Sequence, residues 1–231
     1  MTGKPTGMEA MKQAAALRAL ALVEDGMLLG LGTGSTARWL LEGLGAKLRD
    51  GTLKNVTGVA TSRQTEERAA ALGIGLAELP AGGLDLAIDG MDEVTADLQV
   101  IKGLGGALTR EKIVAAAAKR FVLIGDESKR VGHLGERAPL PVEVVNFGTK
   151  RLVRLLADLG AEPRLRLADG APFVTDNGNL VYDLHFSTPF DATRTAELLA
   201  DMPGVVEHGL FLGMAERAFI ASRTGVDEVV A

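Results

Sequence analysis

The sequence predicts an α/β protein with a mainly parallel sheet covered by helices on both faces, and a smaller α+β lobe. Three observations predict it. Short apolar runs alternate with stretches of helical spacing through residues 27–126, the pattern of parallel strands joined by crossover helices. Past Gly132 the pattern changes, and the Asp169-Gly170 and Asn177-Gly178 dipeptides favour the tight turns of antiparallel strands. Three loops of unusual composition each follow an apolar run, where open parallel sheets bind their ligands.

The elements follow in order. Residues 8–23 read as an amphipathic helix, because Arg18 interrupts the alanine and leucine run and Glu24-Asp25 close it; the stretch is not a signal peptide. "MLLGLG" (27–32) is a buried strand and "STARWLLEGLGAKLRDG" the helix after it. "NVTGVATS" is a strand, and "RQTEERAAALG" a helix closed by Gly73. "LDLAIDG" is a strand, "LTREKIVAAAAK" a helix and "RFVLIGD" a strand. In the lobe, "PVEVVNF" is a strand and "GTKRLVRLLADLG" a helix, and "PRLRLADGAPFVTDNGNLVYDLHF" supplies three antiparallel strands. "DATRTAELLADM" is a helix capped by Asp191, "GVVEHGLFL" a last strand, and "RAFIAS" (217–222) returns to the first sheet. The expected architecture is a Rossmann-like domain of residues 1–132 and 208–231, with a ferredoxin-like α+β lobe of residues 133–207 inserted.

Composition narrows the function. Apolar residues make up 47% of 231, enough for a sizeable core. A net charge of −5 argues against wrapping nucleic acid and for a small ligand held by local positive groups. Cysteine is absent, which removes disulfides and thiolate chemistry and fits a cytoplasmic protein. No apolar run approaches the ~18 residues of a membrane span.

The first loop, "GLGTGST" (30–36), joins a strand to a helix. Its amides and the Thr33, Ser35 and Thr36 hydroxyls suit an oxyanion at a helix N-terminus; the plain alternative is a tight turn with a serine or threonine cap. A dinucleotide fingerprint would need glycine at Ser35, and a nucleotide P-loop would need a lysine. The second, "DGMDE" (89–93), places Asp89, Asp92 and Glu93 together. It reads as a solvated acidic turn, a metal site or a place where protons move, but it lacks calcium-loop spacing. His133, His185 and His208 match no metal spacing. Downstream, Lys102 precedes a glycine bend and Glu111 sits in the first turn of a helix, where Thr109 can cap and the helix dipole favours an acid. The third loop, "GDESKR" (125–130), offers Lys129 to an anion or to solvent.

"GLGTGST", "DGMDE", "KGLGGALTREK" and "GDESK", in this order and spacing, resemble the type A ribose-5-phosphate isomerases. The resemblance covers nearly the whole chain. It implies substrate-binding positions at Thr33, Gly34, Ser35 and Thr36, at Asp89, Gly90, Met91 and Asp92, at Lys102, Gly103, Leu104 and Gly105, and at Lys129. It implies Glu111 as the proton shuttle of an aldose–ketose isomerase acting between ribose 5-phosphate and ribulose 5-phosphate in the non-oxidative pentose phosphate pathway. Lys102 then stabilises the enediolate, Asp89 serves ring opening and Asp92 orients a hydroxyl. Met91 and Leu104 stand where the family usually has alanine and glycine. The implied route needs no metal and no cofactor, and the implied assembly is a homodimer or homotetramer. The alternatives are a sugar-phosphate-sensing domain, which needs neither Glu111 nor Lys102, and another phosphosugar isomerase or lactonase of related architecture.

Overall fold

The computed structural model describes residues 6–231; residues 1–5, the start of the expected first domain, lie outside the described residues. The chain divides into two compact units: Met1–Met91 with Arg110–Lys129 and Met214–Ala231, and Asp92–Thr109 with Arg130–Gly213. Its helices are α1 (Met8–Leu20), α2 (Ser35–Arg49), α3 (Arg63–Ala71), α4 (Leu108–Ala117), α5 (Thr149–Ala157) and α6 (Ala192–Ala200).

The first unit is built on a seven-stranded sheet. From one edge to the other run Val226–Val230, Arg217–Ala221, Phe121–Asp126, Leu86–Gly90, Leu28–Leu31, Thr57–Ala60 and Gly75–Leu76. All neighbours pair parallel except the C-terminal strand, which lies antiparallel on Arg217–Ala221. This is the doubly wound order, and its direction reverses between Leu28–Leu31 and Leu86–Gly90. The strands are apolar because helices cover them: Leu29, Leu31, Leu86, Ile88, Val122 and Ile124 are buried in one core with Ala15, Ala16, Ala19 and Leu20 of α1. Each such leucine or isoleucine contributes roughly 1.5–3 kcal/mol by leaving water. The first helix ends three residues before the expected Val23, where Leu22 and Val23 donate three residues back to Ala19 and Leu20 and close a turn.

The second unit holds a four-stranded antiparallel sheet in the order Val205–His208, Leu140–Val144, Leu180–Phe186, Ala161–Leu165. With α5 and α6 this is a β-α-β-β-α-β chain path, the split βαβ arrangement. Asp191 caps α6, accepting from the Arg194 amide at 2.9 Å.

Three expectations need correction. The stretch expected as three antiparallel strands gives two strands of this sheet, Ala161–Leu165 and Leu180–Phe186, with a separate small hairpin, Leu167–Ala168 against Ala171–Pro172. Asp169 (φ 52°) and Gly170 (φ 80°) turn that hairpin. "GVVEHGLFL" is two strands: Val205–His208 joins the four-stranded sheet, and Leu210–Phe211 pairs with Val100–Ile101. The break falls at Gly209, where a Cβ would lie 2.3 Å from the Lys102 carbonyl oxygen. The "DGMDE" stretch is not an open turn. Glu93–Val94 and Val100–Ile101 form an antiparallel hairpin within the second unit.

Candidate active site

In the first unit, the loops at the switch point carry Thr33 and Asp89. The Thr33 amide donates to Asp89 Oδ1 at 3.0 Å, and the Gly90 amide donates to the same oxygen at 2.6 Å. Gly32 makes this approach possible, since a Cβ there would sit 2.1 Å from Asp89 Oδ1. Gly30 does the same for α4, since its Cβ would lie 2.4 Å from Val114 Cγ1. The two glycines of "GLG" therefore let a helix and a carboxylate close on the strand.

Asp89 and Glu111 line one small cavity together with Gly30, Gly32, Thr61 and Phe121. Asp89 is 3% exposed and Glu111 5%. A carboxyl group at a strand end and another in the first turn of α4, both withdrawn from water, are costly as mere surface charge, which disposes of the solvated-turn reading for Asp89.

The glycine-rich loop turns into α2 at Gly34 (φ 105°), and no side chain caps the helix. The alternative reading of this loop as a turn with a serine or threonine cap is thus not met. The first helical bond runs from the Arg38 amide to the Gly34 carbonyl, so the Ser35, Thr36 and Ala37 amides have no partner within the helix. The Thr33 hydroxyl turns instead to a cluster of hydroxyls, Thr61 at 2.7 Å, Ser62 at 2.8 Å and Thr65 at 3.1 Å. Those three residues escaped the sequence reading, although "ATSRQT" carries a signal: Ser62 is the α3 cap, accepting from the Thr65 amide at 3.1 Å.

Lys129 stands in a 3₁₀ turn, Glu127–Lys129, directly after the Phe121–Asp126 strand. Buried Asp126 shapes that turn by accepting from the Ser128 amide and hydroxyl. Met91 is buried and lies over Gly125, with its Cε 2.9 Å from where a Cβ would be. The departure at Met91 is therefore matched by a missing side chain opposite.

In the second unit, Asp92 receives the Leu104 amide on Oδ2 at 2.9 Å. Lys102 is 2% exposed; its Nζ lies 5.7 Å from the Phe211 ring centroid, a favourable cation–π distance. Its amide donates to the Gly209 carbonyl at 2.9 Å. Gly103 (φ 104°) and Gly106 (φ 81°) adopt the left-handed backbone that glycine tolerates. Leu104 and Gly105 are exposed at the tip between them. Leu104 thus leaves the geometry of this bend to its two flanking glycines.

Glu93 parts company with the other two acids of "DGMDE". Its carboxylate accepts from the amides of Gly135 (2.6 Å), Arg137 (2.6 Å) and Ala138 (2.7 Å), so it anchors a loop. Thr109 does not cap α4; its hydroxyl donates to buried Glu143 at 2.5 Å. Glu143 also accepts from Thr175, Asn177 and Asn179. Among the described residues, no group of three histidine, aspartate or glutamate side chains is placed to hold a metal ion.

Comparison with known proteins bears on this arrangement. Residues 57–225 match the family described as ribose 5-phosphate isomerase A (phosphoriboisomerase A). The chain is 56% identical to the ribose-5-phosphate isomerase A of Roseiflexus castenholzii over 94% of each chain. It is 47% identical to that of Deinococcus radiodurans over 96% of this chain and 98% of the other. A D-ribose-5-phosphate isomerase solved in complex with phospho-erythronic acid superposes with a TM-score of 0.95 at 37% identity, covering 98% of this chain and all of that one. The chain belongs to the ribose 5-phosphate isomerase A family.

Proposed function

We infer that the protein interconverts ribose 5-phosphate and ribulose 5-phosphate. The observation that carries the reading is the pair of buried carboxylates, Asp89 and Glu111, lining one cavity at the switch point of the sheet. An aldose and its ketose differ by a proton moved between C2 and C1, with matching changes on the oxygens. Glu111 takes the proton from C2 and returns it to C1. The cis-enediolate formed between the two steps carries negative charge on oxygen. The Lys102 ammonium and the amides of the Gly103–Gly105 bend stabilise that charge, an effect worth roughly 3–4 kcal/mol by analogy with an oxyanion-hole donor. Asp89 exchanges protons with the ring and hydroxyl oxygens as the furanose opens. Asp92 orients a hydroxyl.

The phosphate binds to the amides and hydroxyls of the loop holding Thr33, Gly34, Ser35 and Thr36, because the α2 N-terminus presents N–H groups that no helical carbonyl accepts. Lys129 adds charge at the anionic end. Gly90, Met91 and Leu104 contribute backbone to the site. In this division of labour the proposed catalytic domain of residues 1–132 and 208–231 draws residues from both compact units, since Asp92–Thr109 belongs to the second, and the inserted residues 133–207 carry none of these roles. The protein works as a homo-oligomer, dimer or tetramer, in the cytoplasm, on a small sugar phosphate and not on nucleic acid; light scattering on the purified protein reports its mass.

The deciding experiment is ketose formation from ribose 5-phosphate by purified protein, run with a chelator. Turnover that survives the chelator is the expected result. Binding without turnover would leave only a sugar-phosphate-binding domain.

A further inference from the structure

The glycine bend after Lys102 is held by a side chain to which the reading above gives no role. Arg166 and Asp183 are largely buried, with side chains 12% and 16% exposed. Arg166 Nη1 donates to two backbone carbonyls of the bend, Gly103 at 2.8 Å and Leu104 at 3.0 Å. Its Nε donates to Asp183 Oδ2 at 2.9 Å, and its Nη2 donates to Asp183 Oδ1. A two-pronged pair of this kind fixes the plane of the guanidinium, which a single contact would not. The guanidinium carbon also lies 5.9 Å from the Phe173 ring centroid. The same ring covers Gly106, where a Cβ would sit 2.3 Å from its Cζ. Arg166, Asp183, Phe173 and the bend all belong to the second unit.

Peptide planarity converts this grip into a direction. In a trans peptide the carbonyl and the following N–H point opposite ways. The Gly103 carbonyl shares its plane with the Leu104 amide, which donates to Asp92 Oδ2. The Leu104 carbonyl shares its plane with the Gly105 amide. By holding the Leu104 oxygen, Arg166 turns the Gly105 N–H away from itself. That N–H has no acceptor among the described residues, and Gly105 is exposed. A cation on the carbonyl also polarises the peptide and strengthens the N–H as a donor.

The geometry points to Arg166, oriented by Asp183, as a positioning residue that aims the Gly105 amide at the developing enediolate charge. The inference rests on the isomerase reading. Arg166 touches no reacting atom; it acts through the backbone of the bend.

The test compares wild type with Arg166→Ala, Arg166→Lys and Asp183→Asn. It measures kcat and KM for ribose 5-phosphate and the affinity for phospho-erythronic acid, an aldonate whose carboxylate imitates the enediolate. An interaction made only as charge develops lowers kcat and leaves KM near its value. The expected result for Arg166→Ala is a kcat lower by about 10- to 100-fold, the scale of a donor misplaced by about 1 Å. KM should stay within about threefold and affinity for the aldonate should fall in step with kcat. Guanidinium ion added to Arg166→Ala should restore part of the rate, whereas methylammonium should not. Lysine cannot span two carbonyls and hold Asp183 together, so Arg166→Lys should lose rate as well.

Should Arg166→Ala fail to fold, the lysine and asparagine variants carry the same comparison. A folded variant with kcat and aldonate affinity within threefold of wild type overturns the inference, as does a rate loss that leaves aldonate affinity unchanged. Wild type that turns over beside unaffected variants sinks this inference alone; wild type without turnover sinks the isomerase reading and this inference with it.

Discussion

At the scale of single residues, burial separates groups that look alike in the sequence. Asp89, Glu93, Lys102 and Glu111 are all buried. Glu93 spends its carboxylate on three loop amides, while Asp89 and Glu111 share a cavity. Glu111→Gln keeps shape and much of the hydrogen bonding. If Glu111 only complemented the helix dipole, the change would cost about 0.3–1 kcal/mol of stability and spare activity. As the shuttle, it should lose at least ~100-fold in kcat with near-normal substrate binding and thermal unfolding. A folded variant within threefold of wild type would return Glu111 to a helix-terminal charge. Lys102→Ala is expected to keep the fold and lose most turnover, because in the proposed reading the ammonium stabilises the enediolate charge. Steady-state kinetics on a variant with wild-type circular dichroism checks it, and a wild-type-like kcat would remove Lys102 from the mechanism. Lys102 and Glu111 were legible as candidates from their place in "KGLGGALTREK". That Glu93 serves structure was not, because its three amide partners lie more than forty residues downstream.

At the scale of elements, the start of α2 and the bend after Lys102 do different work. The α2 amides and the Ser35 and Thr36 hydroxyls face the phosphate in the proposed reading, far in covalent terms from C1 and C2. Ser35→Ala or Thr36→Ala should therefore raise KM more than it lowers kcat. Some binding energy is used to hold the reacting end, so a modest kcat loss is allowed. Kinetics over a range of substrate concentration decides, and a large kcat loss at unchanged KM would mean that this loop holds the reacting end. The strand and helix order was readable because the periods differ: apolar runs for buried strands, 3.6-residue spacing for helices. The hairpin Glu93–Val94 with Val100–Ile101 was not readable. Two-residue strands carry no period, and their pairing depends on a turn in which Leu98 takes φ 58°.

For the molecule as a whole, the sheet order decides where chemistry sits, and ion pairs between strand starts decide part of its acid stability. Arg120, just before Phe121–Asp126, donates to Glu216, just before Arg217–Ala221, at 2.7 and 3.1 Å. Hydrogen bonding from Arg120, and then from Arg217, holds the Glu216 carboxyl down at about 2, against an ordinary 4.5. A carboxylate with a depressed folded value stabilises the fold above its unfolded value. Its contribution is complete above about pH 4.5 and disappears as pH falls towards 2. Urea midpoints measured across that window should fall less steeply for Glu216→Gln than for wild type, and the variant should be the less stable of the two at neutral pH. Equal slopes would mean that the pair is idle in stability.

What the sequence by itself determined is the alternation of strand and helix, the two kinds of sheet and the four motifs that mark the family. Each of these is written in local periods, turn dipeptides and glycine placement, which act over a few residues. Only the tertiary structure decided which charges are withdrawn from water and which backbone groups are held. Gly30 and Gly32 owe their identity to Val114 and Asp89. Thr109 gives up its helix cap for Glu143. Arg166, one charge in an alternating "RLRL", grips carbonyls more than sixty residues away. Such contacts are set by how strands and loops pack, and a chain read in order carries no local trace of them.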